Sequence, residues 1–213
     1  AAIKRLDPAV FTCVGGPYPI AVQERCLDGD GAGVDAVVTG EGEETAVELV
    51  ERLGSGAGLD GVRGVIFRRG AGIVRNPPRP LIEDLDSLPI PARELLGEKS
   101  RYVPPPAMYR KQPVAVVMTS RGCNRRCLFC FQIDRRREAG VRGVRFRNVD
   151  DVLDEVESCL RQGYREIKFI DDSFAADYHR AMEMARKIKA RDLDFPWFAS
   201  ACANQVDKPL LQA

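Results

Sequence analysis

Alternating runs of apolar and polar residues predict an α/β fold in the first part of the chain. Short apolar runs bounded by glycine or polar residues are typical of strands, and apolar positions recurring every three or four residues are typical of helices. These patterns predict a buried strand at 9–13, a helix at 19–27 with Ala21, Val22 and Cys26 facing inward, a strand at 34–38, a helix opening at 39–45 and a hairpin at 64–76 that turns between Arg69 and Gly72. Strand, loop and helix repeated twice is half of a doubly wound sheet.

The last hundred residues repeat the alternation of strands and helices. The predicted elements are a buried strand at 114–118, a helix at 149–162 carrying Val152, Val156, Cys159 and Leu160, a strand at 165–170, a helix marked by Tyr178, Met182, Ala185 and Ile188, and a strand at 195–202. This is a βαβαβ order, with which a parallel α/β sheet or barrel begins. Three strands do not close a barrel.

Proline separates the two regions. Residues 76–113 hold nine of the fourteen prolines, which excludes a regular helix or a central strand there. We interpret this segment as an ordered linker between two domains, held in place by Leu81, Leu85 and Leu88. The predicted organisation is therefore a domain at 1–75, a linker at 76–113 and a second domain at 114–213.

Composition and charge narrow the classes of function. The 213 residues are 45% hydrophobic and 30% charged with a net charge of +1, so no nucleic-acid or membrane partner is expected. No apolar run approaches the roughly 18 residues of a membrane span, and no signal peptide opens the sequence. An odd count of seven cysteines favours reduced thiols in the cytoplasm. The single histidine, His179, excludes sites built on several histidines.

Three cysteines follow the strand at 114–118 within eight residues. Cys123, Cys127 and Cys130 have the spacing CxxxCxxC, and their loop leaves the carboxyl end of the strand, where α/β folds build their sites. Three thiolates without a nearby fourth ligand favour an iron–sulfur cluster with one open iron. A structural zinc needs four ligands and would have to recruit Cys159, Cys202 or His179. Cys159 lies on an apolar helix face, which is typical of packing.

The segment SRGCNRRCLFC resembles the signature of the radical S-adenosylmethionine (SAM) enzymes. Spacing, preceding strand, Ser-Arg-Gly lead-in and an aromatic at Phe129 all agree. The resemblance implies a 4Fe–4S cluster on Cys123, Cys127 and Cys130, with SAM chelating the fourth iron and cleaved to methionine and a 5′-deoxyadenosyl radical. It also implies a one-electron donor such as flavodoxin or ferredoxin, and Phe129 is assigned to the SAM site.

The end of the second strand in this family carries a GGE-like motif that contacts the methionine amino group. Here the sequence reads IDDSF, so the resemblance assigns that role to Asp171 and Asp172, since a carboxylate can accept a hydrogen bond from an ammonium group. The structural alternative is that both acids cap the next helix. Ser200 and Asn204, after the third strand, are assigned to the cofactor ribose.

The first domain resembles the C-terminal half of the cobalamin-binding domain that precedes the barrel in one radical SAM subclass. The residues that carry this likeness are Gly15, Gly16, Gly40, Glu41 and Gly42, in CVGGPYP and VDAVVTGEGEET. The resemblance implies a Rossmann-like cobalamin-binding part at 1–75, a Pro-rich linker, and the first strands of a partial (β/α) radical SAM barrel at 114–213. It also implies a fragment of a longer chain. An unclosed half-barrel leaves a strand edge exposed, so the isolated fragment can be inactive even where the longer protein is an enzyme.

The leading hypothesis is a cobalamin-dependent methyltransferase acting on an unactivated carbon or phosphorus of a small-molecule substrate. Related members perform ring closure or rearrangement instead. One alternative is a methylthiotransferase for tRNA or ribosomal protein, which needs a second cysteine cluster, whereas only Cys13 and Cys26 precede the linker. Another is a zinc-stabilised, non-enzymatic module. The arginine-rich stretch 134–147 is either a solvated or covered surface or a contact for an anionic substrate or RNA.

Overall fold

The chain forms two compact α/β units. The computed structural model describes residues 2–28, 33–102, 104–125, 127–130 and 143–213. The first unit contains the described residues up to Ile82 together with Phe129 and Cys130, and the second contains Glu83–Leu128 and the residues from 143 onward. The mixed α/β class predicted from the sequence is confirmed. Among the described residues, no helix is both long and apolar enough to cross a membrane.

A mixed four-stranded sheet forms the first unit, in the order β1-β2-β3-β4. Its elements are α1 (Ala2–Leu6), β1 (Cys13–Val14), α2 (Pro17–Val22), β2 (Ala36–Val38), α3 (Glu43–Gly54), β3 (Val65–Arg69) and β4 (Gly72–Arg75). β1 and β2 are parallel, and the remaining pairs are antiparallel. The predicted hairpin is confirmed, because Arg69 pairs with Gly72 across the turn.

Two predictions about the start of the chain are wrong in detail. The strand predicted at 9–13 has only two residues, and Cys13 is exposed rather than buried. In the next helix the buried residues are Ile20 and Leu27, whereas Ala21 is exposed and Cys26 is half-buried. The reason is that α2 ends at Val22 and continues as a tighter 3-10 turn over Gln23–Leu27. The change from 3.6 to 3 residues per turn moves the inward face.

The described part of the segment 76–113 contains no α-helix and no strand, as its prolines predict. Short 3-10 turns occur at Leu85–Ser87, Arg93–Leu96, Lys99–Arg101 and Pro106–Met108. Leu85 is fully buried, whereas Leu81 and Leu88 are half-buried. The predicted boundaries 1–75, 76–113 and 114–213 remain predictions.

The second unit contains the predicted βαβαβ arrangement. Its elements are β5 (Val114–Val117), β6 (Ser120–Arg121), β7 (Arg145–Phe146), α4 (Val149–Arg161), β8 (Glu166–Phe169), α5 (Tyr178–Ala190), β9 (Trp197–Phe198) and α6 (Lys208–Gln212). Strands β5, β8 and β9 form a parallel sheet in the order β5-β8-β9, and β6 pairs antiparallel with β7. Val117, Val156, Ile167 and Met184 lie in its apolar core.

The predicted helices of this unit are confirmed, but the buried face of α5 differs. Ala181, Met184 and Ile188 are buried, whereas Tyr178 and Met182 are half-buried. The third strand is also shorter than predicted, because only Trp197 and Phe198 pair with β8. Apolar spacing therefore predicted where each element lies. It did not predict which face of α5 packs against the sheet.

Candidate functional site

The register of the parallel sheet brings together the residues that follow β5 and β8. Val117 pairs with Phe169, and the amide of Ile170 donates to the carbonyl of Val117 at 3.1 Å. Continuing this register by two residues places Thr119 opposite Asp171. Parallel strands end at one edge of their sheet, so the start of the cysteine loop meets the acidic end of β8 there.

The carboxylate of Asp171 binds the start of the cysteine loop. Its Oδ1 accepts hydrogen bonds from the amide of Thr119 (2.7 Å), the amide of Ser120 (2.5 Å) and Ser120 Oγ (3.0 Å). Its Oδ2 accepts from Thr119 Oγ1 at 3.0 Å. Asp171 is only 4% exposed, and burial raises its pKa above the ordinary value although the four hydrogen bonds act in the opposite direction.

Arg180 of α5 binds Thr119 from the other side. Its guanidinium donates to Thr119 Oγ1 (3.1 Å), to the Thr119 carbonyl (3.2 Å) and to the Arg147 carbonyl (2.9 Å), and it lies over the Phe146 ring. Burial lowers the pKa of Arg180, partly offset by Asp171 and other acids. The Thr119 hydroxyl therefore accepts from Arg180 while it donates to Asp171.

The segment 118–122, which we call the loop stem, is also held by the chain that returns from the loop. Ser120 pairs with Phe146 and Arg121 with Arg145, and the amide of Arg147 donates to the Thr119 carbonyl at 3.0 Å. Gly122 has φ of 97°, and a Cβ there would lie 2.8 Å from the Gly143 carbonyl oxygen. Glycine is therefore required immediately before Cys123.

The three cysteines lie beyond this stem. Each is half-buried, and Leu128 and Phe129 between them are 98% and 93% exposed. Among the described residues, no group of three His, Cys, Asp or Glu side chains is close enough to hold a metal. Two neighbours of Cys123 bind the end of the sheet, because Asn124 Nδ2 donates to the Ala176 carbonyl (3.1 Å) and Arg125 donates to Asn204 Oδ1 (2.7 Å).

The strand-end acids do not cap the next helix, so the structural alternative considered above is wrong. Asp177 caps α5 by accepting from the amide of Arg180 at 3.0 Å. Asp172 is exposed beside the buried Asp171. Ser200 is exposed, and its carbonyl accepts from the Phe174 amide at 2.8 Å. The assignment of Asp171, Asp172, Ser200 and Phe129 to SAM stays a prediction.

The glycines of the first unit lie together at the carboxyl edge of its parallel pair. A Cβ on Gly15, after β1, would lie 3.6 Å from Val38 Cβ, and one on Gly42, after β2, would lie 3.8 Å from Val38 Cγ1. Gly16 and Gly40 have φ of 95° and 80°, and a Cβ on either would have no neighbour within 4 Å among the described residues. Glu41 Oε2 accepts from the Ile82 amide at 2.8 Å. In the described part of the chain, this edge is open backbone rather than packed side chains.

One further interpretation from the sequence is confirmed by the structure. Cys159 is fully buried on α4, and burial raises the pKa of its thiol, so its assignment to packing is confirmed. Residues 131–142, which hold most of the arginine-rich stretch, lie outside the described residues. Thr119 and Arg180 were not singled out from the sequence. The register of β5 against β8 is the signal that could have found Thr119.

Sequence matches identify the family of one region of the chain. Residues 117–207, from the end of β5 to the start of α6, match the model of the radical SAM superfamily. By this match, residues 117–207 form a radical SAM domain. An uncharacterised methyltransferase of Pyrococcus horikoshii is 35% identical over 216 residues, which cover 99% of this chain and 44% of that protein. The anaerobic magnesium-protoporphyrin IX monomethyl ester cyclase of Rubrivivax gelatinosus is 28% identical over 201 residues. These cover 91% of this chain and 34% of that protein.

A solved structure has a fold similar to that of this chain. The radical SAM methyltransferase TsrM from Kitasatospora setae, with cobalamin and a [4Fe-4S] cluster bound, superposes with a TM-score of 0.65 at 21% identity. The match covers 94% of this chain and 39% of that one. This chain therefore spans less than half the length of each of these three proteins.

Proposed function

We propose that this protein is a cobalamin-dependent radical SAM enzyme. The observation that carries the proposal is the position of the CxxxCxxC loop. It begins at the carboxyl end of the first strand of a parallel βαβαβ unit, on a stem fixed by buried polar contacts. The superfamily match over 117–207 and the methyltransferase and cobalamin in the names of related proteins support it.

Cys123, Cys127 and Cys130 are the residues that we propose as ligands of a 4Fe–4S cluster. Three thiols without a fourth cysteine on the loop fit a cluster that keeps one iron open for SAM. The chemistry that such a cluster supplies, when bound, is one-electron reduction of the SAM sulfonium, with electrons from a donor such as flavodoxin or ferredoxin. The exposed Phe129, Asp172 and Ser200 are the proposed SAM contacts.

Gly15, Gly16, Gly40, Glu41 and Gly42 are the residues that we propose for cobalamin. The open backbone at the carboxyl edge of β1 and β2 fits a bulky cofactor that slides against a sheet, since a side chain at Gly16 or Gly40 would fill that space. In this proposal, residues 1–75 are the C-terminal part of a Rossmann-like cobalamin-binding domain.

Methyl transfer to a carbon or phosphorus of a small molecule is the reaction we propose. The Pyrococcus relative is named a methyltransferase, and TsrM is too, whereas the Rubrivivax relative is named a cyclase. None of these three is named a methylthiotransferase, and the superfamily match does not favour a zinc-stabilised module. Reduced cysteine ligands fit a reducing cytoplasm.

The experiment is anaerobic reconstitution followed by assay of SAM cleavage. The protein with iron, sulfide, a low-potential reductant and SAM should form methionine and 5′-deoxyadenosine. A variant with alanine at Cys123, Cys127 and Cys130 is the control and should form neither. A reconstituted protein that binds zinc, or that cleaves SAM equally well without the three cysteines, would contradict the proposal. Retention of a corrinoid on gel filtration tests the cobalamin part separately.

A further inference from the structure

We propose that Asp171 is a positioning residue that fixes the loop stem for cluster assembly, rather than a direct contact of SAM. The inference rests on the proposed function and divides the two neighbouring acids between two roles. Asp171 faces inward and binds the protein backbone, whereas Asp172 is exposed. The sequence alone assigned both carboxylates to the same ligand.

The carboxylate of Asp171 already accepts as many hydrogen bonds as it has lone-pair positions. An ionised carboxylate has about four lone-pair positions. All four donors around Asp171 come from two consecutive residues, namely the amides and the hydroxyls of Thr119 and Ser120. A hydrogen bond to the ammonium group of a ligand would have to replace one of these contacts, in a position only 4% exposed. The carboxylate is thus committed to the stem.

The position of the stem explains why these contacts matter for the cluster. Only Arg121 and Gly122 separate Ser120 from Cys123, so the direction of the chain at Ser120 sets where the first thiol begins. Gly122 is confined by its positive φ and by the Gly143 carbonyl. Residues that orient metal ligands through hydrogen bonds typically change metal affinity by roughly 10- to 100-fold when mutated.

Arg180 completes the arrangement from the helix side. The Thr119 hydroxyl, which is fully buried, accepts from Arg180 and donates to Asp171. A hydroxyl can make both bonds at once, whereas a methyl group of the same size can make neither. Thr119→Val and Thr119→Ser are therefore a matched pair, in which only the serine variant should retain the link between Asp171 and Arg180.

The test compares wild type, Asp171→Asn, Asp171→Ala and Asp172→Asn. Without iron, amide hydrogen exchange at Thr119 and Ser120 should become roughly tenfold faster in Asp171→Ala and remain unchanged in Asp172→Asn. After reconstitution, cluster content should fall roughly tenfold in Asp171→Ala and less in Asp171→Asn, and it should be unchanged in Asp172→Asn. Thr119→Val should lower cluster content, and Thr119→Ser should restore it.

Two results would overturn the inference. One is normal cluster content and amide protection in Asp171→Ala. The other is normal cluster content with roughly tenfold weaker SAM binding in Asp171→Asn, which would make Asp171 a direct ligand. If Asp171→Ala does not fold, Asp171→Asn and the Thr119 pair decide the question. If wild type itself takes up no cluster, the proposed function fails, while amide exchange still tests whether Asp171 holds the stem.

Discussion

The two parallel sheet edges of this protein are built in opposite ways. At the carboxyl edge of β5 and β8, buried polar side chains bind the backbone of the loop stem, with Asp171 and Thr119 at the centre. At the carboxyl edge of β1 and β2, glycines leave the backbone bare, and no described atom lies within 4 Å of the Cβ positions of Gly16 and Gly40. The first edge suits a small inorganic group that needs oriented ligands. The second suits a large cofactor that needs space.

The largest expected effect is the loss of bound iron when a cysteine that follows β5 is replaced, compared with replacement of a cysteine in the first unit. Replacing Cys123, Cys127 or Cys130 singly by alanine should reduce iron from roughly four atoms per chain to near zero after reconstitution, because three thiolates are the minimum for a cluster with one open iron. Cys13→Ala is the matched control, since Cys13 is exposed in the first unit and should not change the iron content. Loss of iron in Cys13→Ala but not in the other three variants would contradict the assignment of the cluster ligands.

The ion pairs of Glu155 beside the end of β5 should contribute strongly to the free energy of unfolding. Glu155, only 1% exposed, accepts from Arg93 (2.5 Å) and Arg147 (2.6 Å), and these arginines also donate to the carbonyls of Val116 and Met118. Glu155→Gln should lower the free energy of unfolding by about 3 kcal/mol in urea, because the buried Arg93 and the half-buried Arg147 lose the charge of Glu155.

Glu157 on the same helix gives the control for that change. It pairs with Arg161 and Arg191 but is one-third exposed, so Glu157→Gln should cost less than about 1 kcal/mol. Equal effects of the two substitutions would mean that the contacts of Glu155 with the strand end add little to stability.

The bare edge of the first unit should respond to size rather than to charge. Gly15→Leu places a side chain beside Val38 at the strand end and should weaken corrinoid binding by roughly tenfold, which corresponds to about 1.4 kcal/mol. Gly54→Leu makes the same change at the end of α3, where a Cβ has no neighbour within 4 Å, and should not affect binding. Unchanged corrinoid affinity in Gly15→Leu would remove the first unit from the cobalamin proposal.

The smallest expected effect is a difference in how the stability contributions of two carboxylates, one from each unit, depend on pH. Burial acts to raise the pKa of Asp35, but bonds from Lys4 and Thr12 outweigh it and leave the pKa below its ordinary value, whereas burial raises the pKa of Asp171. Asp35 should therefore stabilise the fold above its ordinary pKa and lose that contribution as pH falls. The contribution of Asp171 should be lost as pH rises through its raised pKa.

Urea unfolding of Asp35→Asn and Asp171→Asn between about pH 3 and pH 6 measures this contrast. Relative to wild type, Asp35→Asn should lose stability as pH rises, and Asp171→Asn should gain it. The same sign of pH dependence in both variants would contradict the difference between the two carboxylates.

Local patterns predicted the elements of this fold better than the contacts between them. The apolar run at 114–118, the helix at 149–162 and the hairpin turn at Arg69 and Gly72 are all confirmed, because each depends on neighbours in the sequence. The role of Asp171 could not be predicted in this way. It depends on the register between two strands about 50 residues apart and on an arginine from the following helix. The buried face of α5 could not be predicted for the same reason, because it depends on how the helix packs against the sheet.

Electron paramagnetic resonance of the reconstituted, reduced protein, recorded before and after addition of SAM, tests the central claim most directly. We predict the signal of a reduced 4Fe–4S cluster whose g values shift when SAM is added, because the cluster that we propose on Cys123, Cys127 and Cys130 would keep one iron open. A cluster signal that SAM does not change, or no cluster signal in wild type, would contradict the assignment of this loop.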